Sequence, residues 1–125
     1  VQLRLVPVNA PTLRRARLLV AADCTAFATP EFHRALLPGK ICLVGCPKLD
    51  DAAAYREKLA ALIRENDIPS IDVAYMEVPC CMGLVRLVEG AVEDARVPVS
   101  LNLIRIGIDG SIQERRSVEF RFVAG

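Results

Sequence analysis

Short apolar runs recur along this chain, separated by turn residues and by stretches in which apolar positions return every three or four residues. Arg17-Leu18-Leu19-Val20-Ala21-Ala22 and Lys40-Ile41-Cys42-Leu43-Val44-Gly45 are runs of the kind carried by strands covered on both faces. Ser70 to Val78 and Leu101 to Ile106 predict two more strands, and Gln2 to Pro7, loosely alternating, predicts a first strand ended by proline. Between them, Thr29-Pro30 opens a helical segment that Pro38-Gly39 closes, and Asp50 or Asp51 caps a helix running to about Asn66. After Cys81, apolar residues at Leu84, Leu87, Val88, Ala91, Val92 and Ala95 predict a helix stopped by Val97-Pro98. Asp109-Gly110 has the composition of a hairpin turn, and Val118, Phe120 and Phe122 alternate with Glu119 and Arg121 as in a half-exposed final strand. The order β-α-β-α-β-α-β implies an α/β fold. Its sheet is mostly parallel with helices on both faces, and a C-terminal antiparallel hairpin lies at the edge.

Composition narrows the function classes. The chain has 125 residues, enough for one domain over residues 1–125, with 53% hydrophobic and 25% charged residues. A net charge of +1, few aromatic residues and no Trp give no footprint for nucleic acid, so no nucleic-acid partner is expected. No apolar run approaches the roughly 20 residues that span a bilayer, and no signal peptide opens the chain, so no membrane partner is expected. Val1 falls inside an apolar stretch, which suggests that sequence precedes it. A cytoplasmic, reducing location is expected, where cysteines serve as ligands or catalysts more often than in disulfides.

The five cysteines carry the chemistry. Cys24, Cys46 and the pair Cys80-Cys81 each follow a predicted parallel strand. They are 22 and 34 residues apart, too far for a compact ligand motif. Neighbouring parallel strands lie about 4.8 Å apart, so their carboxyl ends can surround one cofactor. Four thiolates are the usual ligand set of an iron–sulfur cluster, and a helix N-terminus after Cys81 favours the thiolate form. Gly45 and Gly83 are expected to let the backbone approach the cofactor. Cys42 is excluded, because four residues along a strand place it about 13 Å from Cys46. The lone histidine, His33, reads as a surface residue, Lys48 as a solvated lysine beside the site, and Asp23 equally as a turn residue or a functional one.

Two other readings stay open. Cys80-Cys81-Met82-Gly83-Leu84-Val85-Arg86 fits the Cys-x-x-Gly-x-x-Arg part of the oxyanion loop of cysteine-dependent phosphatases and arsenate reductases, with Asp23, Asp50 or Asp51 as general acid. Against it, Leu87 stands where such loops carry Ser or Thr. The same thiols could instead hold structural zinc.

Four blocks carry a resemblance: Val1 to Pro11, Ala21 to Ala28, Gly45 to Asp51 and Met76 to Cys81. Together they resemble the C-terminal domain of ferredoxin-like 4Fe-4S iron–sulfur proteins of anaerobes. The resemblance implies an iron–sulfur cluster at Cys24, Cys46, Cys80 and Cys81 and electron transfer to a redox partner protein or an upstream ferredoxin module. The double cysteine is also similar to the Cys-Cys-Gly pattern of heterodisulfide reductase cluster domains, interrupted here by Met82. A 4Fe-4S cluster is therefore expected, with a non-cubane cluster or one shared across a homodimer left open. The role expected is that of an electron carrier or redox-enzyme component rather than a stand-alone enzyme, with no catalytic residue assigned.

Overall fold

The structure is a computed structural model that describes residues 1–48 and 51–120. Strands β1 (Arg17–Ala22), β2 (Ile41–Gly45), β3 (Ser70–Met76), β4 (Val99–Ile106) and β5 (Ile112–Phe120) form one sheet in the order β2-β1-β3-β4-β5. The first three neighbour pairs are parallel and β4–β5 is antiparallel. Helices α1 (Thr25–Ala28), α2 (Ala52–Asn66) and α3 (Met82–Ala95) connect the parallel strands, together with one wide helical turn at Phe32–Leu36. The α/β architecture expected from the sequence is therefore present, including the antiparallel C-terminal hairpin.

Connection direction decides which face each helix covers. The links β2→β3 and β3→β4 both run toward β4, so right-handed crossovers set α2 and α3 side by side on one face, where they pack together. The link β1→β2 runs the other way and puts α1 and Phe32–Leu36 on the opposite face. Double coverage explains β1, in which every residue after Arg17 is buried. All six apolar positions predicted for α3 are buried, each such leucine or valine contributing about 1.5–3 kcal/mol relative to exposure.

Local chemistry sets the ends. Asp51 caps α2, accepting the Ala54 N–H at 3.2 Å, and Asp67 ends it in the left-handed region. Thr25 donates its hydroxyl to the Ala22 carbonyl at 2.8 Å. That bond winds the chain into α1 directly after β1, earlier than the predicted start at Thr29. The Thr29 hydroxyl instead accepts the Glu31 N–H at 3.2 Å, two residues on, just before the Phe32–Leu36 turn.

Two expectations change. Gln2 to Pro7 is not a strand, because only Gln2 bridges to Val44 on the outer margin of β2. The amides of Leu5 and Val6 turn back to the Gln2 carbonyl, which buries Leu3 and Val6 inward. The second face of the sheet is also only half covered. Asp72, Asn102 and Ser117 lie in register across β3, β4 and β5. They are joined by hydrogen bonds of 2.9 and 2.7 Å, and Lys40 pairs with Asp72 at 3.3 Å. Asp50 and the predicted Arg121 and Phe122 of the last strand lie outside the described residues.

The hairpin tip is fastened to the rest of the fold at two points. Gly110, at φ +89, turns against the carbonyl of Ala28 in the segment that follows Cys24. Glu77, just past β3, accepts the Ile108 N–H at 3.0 Å and the Gln113 amide at 2.6 Å. These donors, the Ile108 N–H foremost, hold the Glu77 carboxyl below its ordinary value.

Gly110→Ala meets both a disfavoured φ and the Ala28 carbonyl. It should cost about 1–3 kcal/mol, read as a shift in the denaturant midpoint. For Glu77, a depressed carboxyl stabilises the fold above its unfolded pKa of about 4.3, and that contribution is lost as pH falls through the lower folded value. The Ile108 amide resonance should therefore titrate below about pH 4.3 in the wild type and lose that step in Glu77→Gln; an unchanged titration would refute the assignment.

Candidate functional site at the carboxyl rim

The winding of the sheet reverses between β1 and β3: from β1 the chain moves outward to β2, then returns across β1 to β3 and β4. Such a reversal leaves a crevice outside the carboxyl ends of the two central strands, the general ligand position of open α/β sheets. The predicted cysteines lie just past the carboxyl ends of β1, β2 and β3 on this side of the sheet. Cys24 lies two residues past β1, exposed, just before α1. Cys46 immediately follows β2 and is half-buried. Cys80 and Cys81 end the tight turn Pro79–Cys81 after β3, with Cys80 exposed and Cys81 buried as the residue before α3. None of the five cysteines is in a disulfide.

Electrostatics ties these sulfurs together. Burial pushes the Cys81 thiol above its ordinary value, and a hydrogen bond with the Met76 backbone pulls it back. The thiols of Cys80, Cys24 and Cys46 each add to the rise. Cys81 is thus within electrostatic reach of the other three predicted ligands. Cys42 is not among the groups acting on it; it lies inside β2, opposite Leu19, with its own thiol raised by burial. Convergence stops short of a closed site, however. Among the described residues, no group of three or more Cys, His, Asp or Glu side chains comes together closely enough to hold a metal ion.

The two glycines have different surroundings. A Cβ on Gly45 would press the Tyr55 ring of α2 at 3.1 Å, so this glycine has a packing reason. A Cβ on Gly83 would meet only Pro47, at 3.5 Å, an ordinary contact. Gly83 thus seats the first turn of α3 against the loop that follows Cys46. Between these two elements runs a cleft of about 320 Å³ lined by Pro47, Lys48, Pro79, Cys80, Gly83 and Arg86. His33 is exposed on the Phe32–Leu36 turn, its ring edge-on to Phe32 at 5.5 Å, as a surface residue.

Three features of the rim add to the sequence reading, and only the first went unread there. One is the Met76 backbone contact to Cys81, which no side-chain pattern reports. The second is Arg86, which lines the same cleft as Cys80. The third is Asp23 Oδ1, which is buried without a hydrogen-bond partner beside Cys24. An orphaned carboxylate oxygen in such a place calls for a function or an occupant.

The oxyanion-loop geometry is absent. A phosphate cradle needs the amides between its cysteine and arginine to converge on one anion, whereas Met82 to Arg86 are already the first turns of α3.

A family profile described as Rossmann-like domain matches residues 10–124, and the chain belongs to that family. An uncharacterized protein of Archaeoglobus fulgidus is 28% identical over 113 residues, covering 90% of this chain and 79% of the relative. No solved structure gives a significant match. These findings correct the resemblance to ferredoxin-like 4Fe-4S proteins: the matched family is the Rossmann-like one, and the archaeal relative carries no iron–sulfur description. The physical reason is that the resembling blocks are mostly strand ends and turns, which any doubly wound sheet supplies.

Alkylation of the metal-free protein by iodoacetamide should label the exposed Cys24 and Cys80 first. Cys81 should react only as pH rises beyond the ordinary thiol value of 9.0. Peptide mass mapping against pH checks this, and early labelling of Cys81 at neutral pH would contradict its burial.

Proposed function

We propose that Cys24, Cys46, Cys80 and Cys81 hold an iron–sulfur cluster, 4Fe-4S in type, and that the domain carries single electrons between a reduced and an oxidised partner protein. The observation that carries this reading is the placement of Cys24, Cys46 and Cys80-Cys81 just past the carboxyl ends of the parallel strands β1, β2 and β3, and the direction of the Cys81 shift agrees, since the other three rim thiols act on it. Thiolates are the ligands such clusters take, and burial, net charge and hydrogen bonds to sulfur are the means by which a protein sets their potential. The chain supplies each of these. Cys81 is buried, Met76 offers a backbone contact to its sulfur, and Lys48 and Arg86 line the cleft beside Cys80, where they would offset thiolate charge. Asp23 adds a buried carboxylate oxygen without a hydrogen-bond partner beside Cys24.

A four-thiolate zinc site is less well supported. Bonds of about 2.3 Å to one tetrahedral ion require sulfurs roughly 3.8 Å apart, and among the described residues no group of three or more Cys, His, Asp or Glu side chains is placed to hold a single ion. Irons bridged by inorganic sulfide span a wider ring of thiolates. No helix among the described residues is long and apolar enough to cross a membrane, and free thiols at an exposed rim suit a reducing, cytoplasmic setting.

Anaerobic reconstitution with iron and sulfide should give a broad visible absorption that a reductant bleaches and an EPR signal in one redox state. Cys46→Ala or Cys81→Ala should lose most of the bound iron, whereas Cys42→Ala should keep it. Full iron retention in Cys46→Ala, or zinc as the metal bound by the wild type when iron and zinc are both supplied, would overturn the proposal.

A further inference from the structure

The two margins of the sheet are unlike. At β2 the outer edge is engaged: Gln2 bridges Val44, the Leu3 N–H donates to the Val44 carbonyl at 2.8 Å, and the Val44 N–H donates to the Val1 carbonyl at 2.9 Å. At β5, among the described residues, nothing pairs with the outer edge along Ile112–Phe120. An open strand of this length presents a row of unpaired amides and carbonyls, which is a template for another strand. Gln113 to Ser117 and Glu119 are all exposed on it.

We propose that β5 pairs antiparallel with the β5 of a second copy of this chain, about a two-fold axis at Ser117, so that the two sheets become one. The axis stands perpendicular to the sheet and keeps each face on its own side. Each symmetric register therefore sets one residue opposite itself and the others opposite a residue of matching parity. The charges choose among these registers. Centring on Glu114, Arg115 or Arg116 faces like charges across the axis, which is destabilising. Centring on Val118 leaves Arg116 against Phe120 and Glu119 against Ser117, with no charge compensated. Centring on Ser117 sets Arg115 against Glu119 twice, once on each side of the axis, and no like charges meet.

The same register agrees with what holds these side chains. Arg115, Ser117 and Glu119 share the uncovered polar face. There Ser117 donates to Asn102 Oδ1 at 2.7 Å, and Glu119 Oε1 accepts the Ser100 hydroxyl at 2.9 Å. Glu119 is thereby oriented before a partner arrives, and the row Asp72–Asn102–Ser117 continues across the axis into its copy. On the other face Arg116 lies opposite Val118, where its methylene stem can cover the valine. A single strand edge makes a small interface, so the dimer is reversible and concentration-dependent. The two copies run in opposite directions, which places their cysteine rims at opposite ends of the joined sheet. The dimer therefore stands independently of what the rim holds.

Sedimentation equilibrium over a concentration series tests this with the wild type, R115E, E119R and the double variant R115E/E119R. The wild type should show a monomer–dimer equilibrium. Each single reversal should weaken it about tenfold or more, and the double swap should restore it. Ser117→Arg, which faces two like charges on the axis, should abolish the dimer, with thermal unfolding confirming that each variant is folded. A wild type that is monomeric up to about 1 mM, single reversals without effect, or a double swap no better than the singles would overturn the proposal.

Discussion

Parallel pairing is the constraint on which the rest of this structure depends. Three consecutive parallel contacts oblige the chain to return across the sheet after each strand, and each return must lay a helical segment over a face. That requirement explains the uninterrupted apolar run of β1, the packing of α2 on α3, and the delivery of the carboxyl ends of β1 to β4 to one side. Because the direction of winding changes after β2, the returning segments diverge and leave the ends of β1 and β3 uncovered. The thiols of Cys24 and Cys81 stand at that opening because each lies just past one of these two strands.

Much of this was legible in the chain itself. The run Arg17–Ala22 is β1 to the residue, and the helical spacing from Leu84 to Ala95 is the buried stripe of α3. The turn at Asp109-Gly110 was readable because only a few residue types tolerate its backbone. What escaped depended on partners remote in sequence. Gln2 to Pro7 alternates like a strand, but the turn at Leu3–Leu5 satisfies its own amides. Gly45 was read as room for a cofactor, whereas the neighbour that needs the space is Tyr55, ten residues on. The polar face was visible as alternation at Ser70, Asp72, Ser100 and Asn102.

The rim shows how position and occupant separate as questions. That Cys24, Cys46, Cys80 and Cys81 lie along one rim follows from strand ends, and strand ends are readable from hydrophobic runs. The resemblance to an iron–sulfur family rested on those same strand ends, and membership of the Rossmann-like family replaces it. The neighbouring pair Cys80-Cys81 splits into an exposed and a buried thiol because the turn at Pro79 rotates the chain into α3 between them. One sulfur of the pair is therefore open to solvent and partners, while the other is held in the protein interior.

The engaged margin at β2 has a consequence for larger-scale behaviour. A sheet with two free sides can add molecules without limit and grow into a filament. Here the segment around Gln2 occupies the outer side of β2 at Val44, which works against open-ended growth from that side and leaves the other side as the place where backbone pairing is favoured.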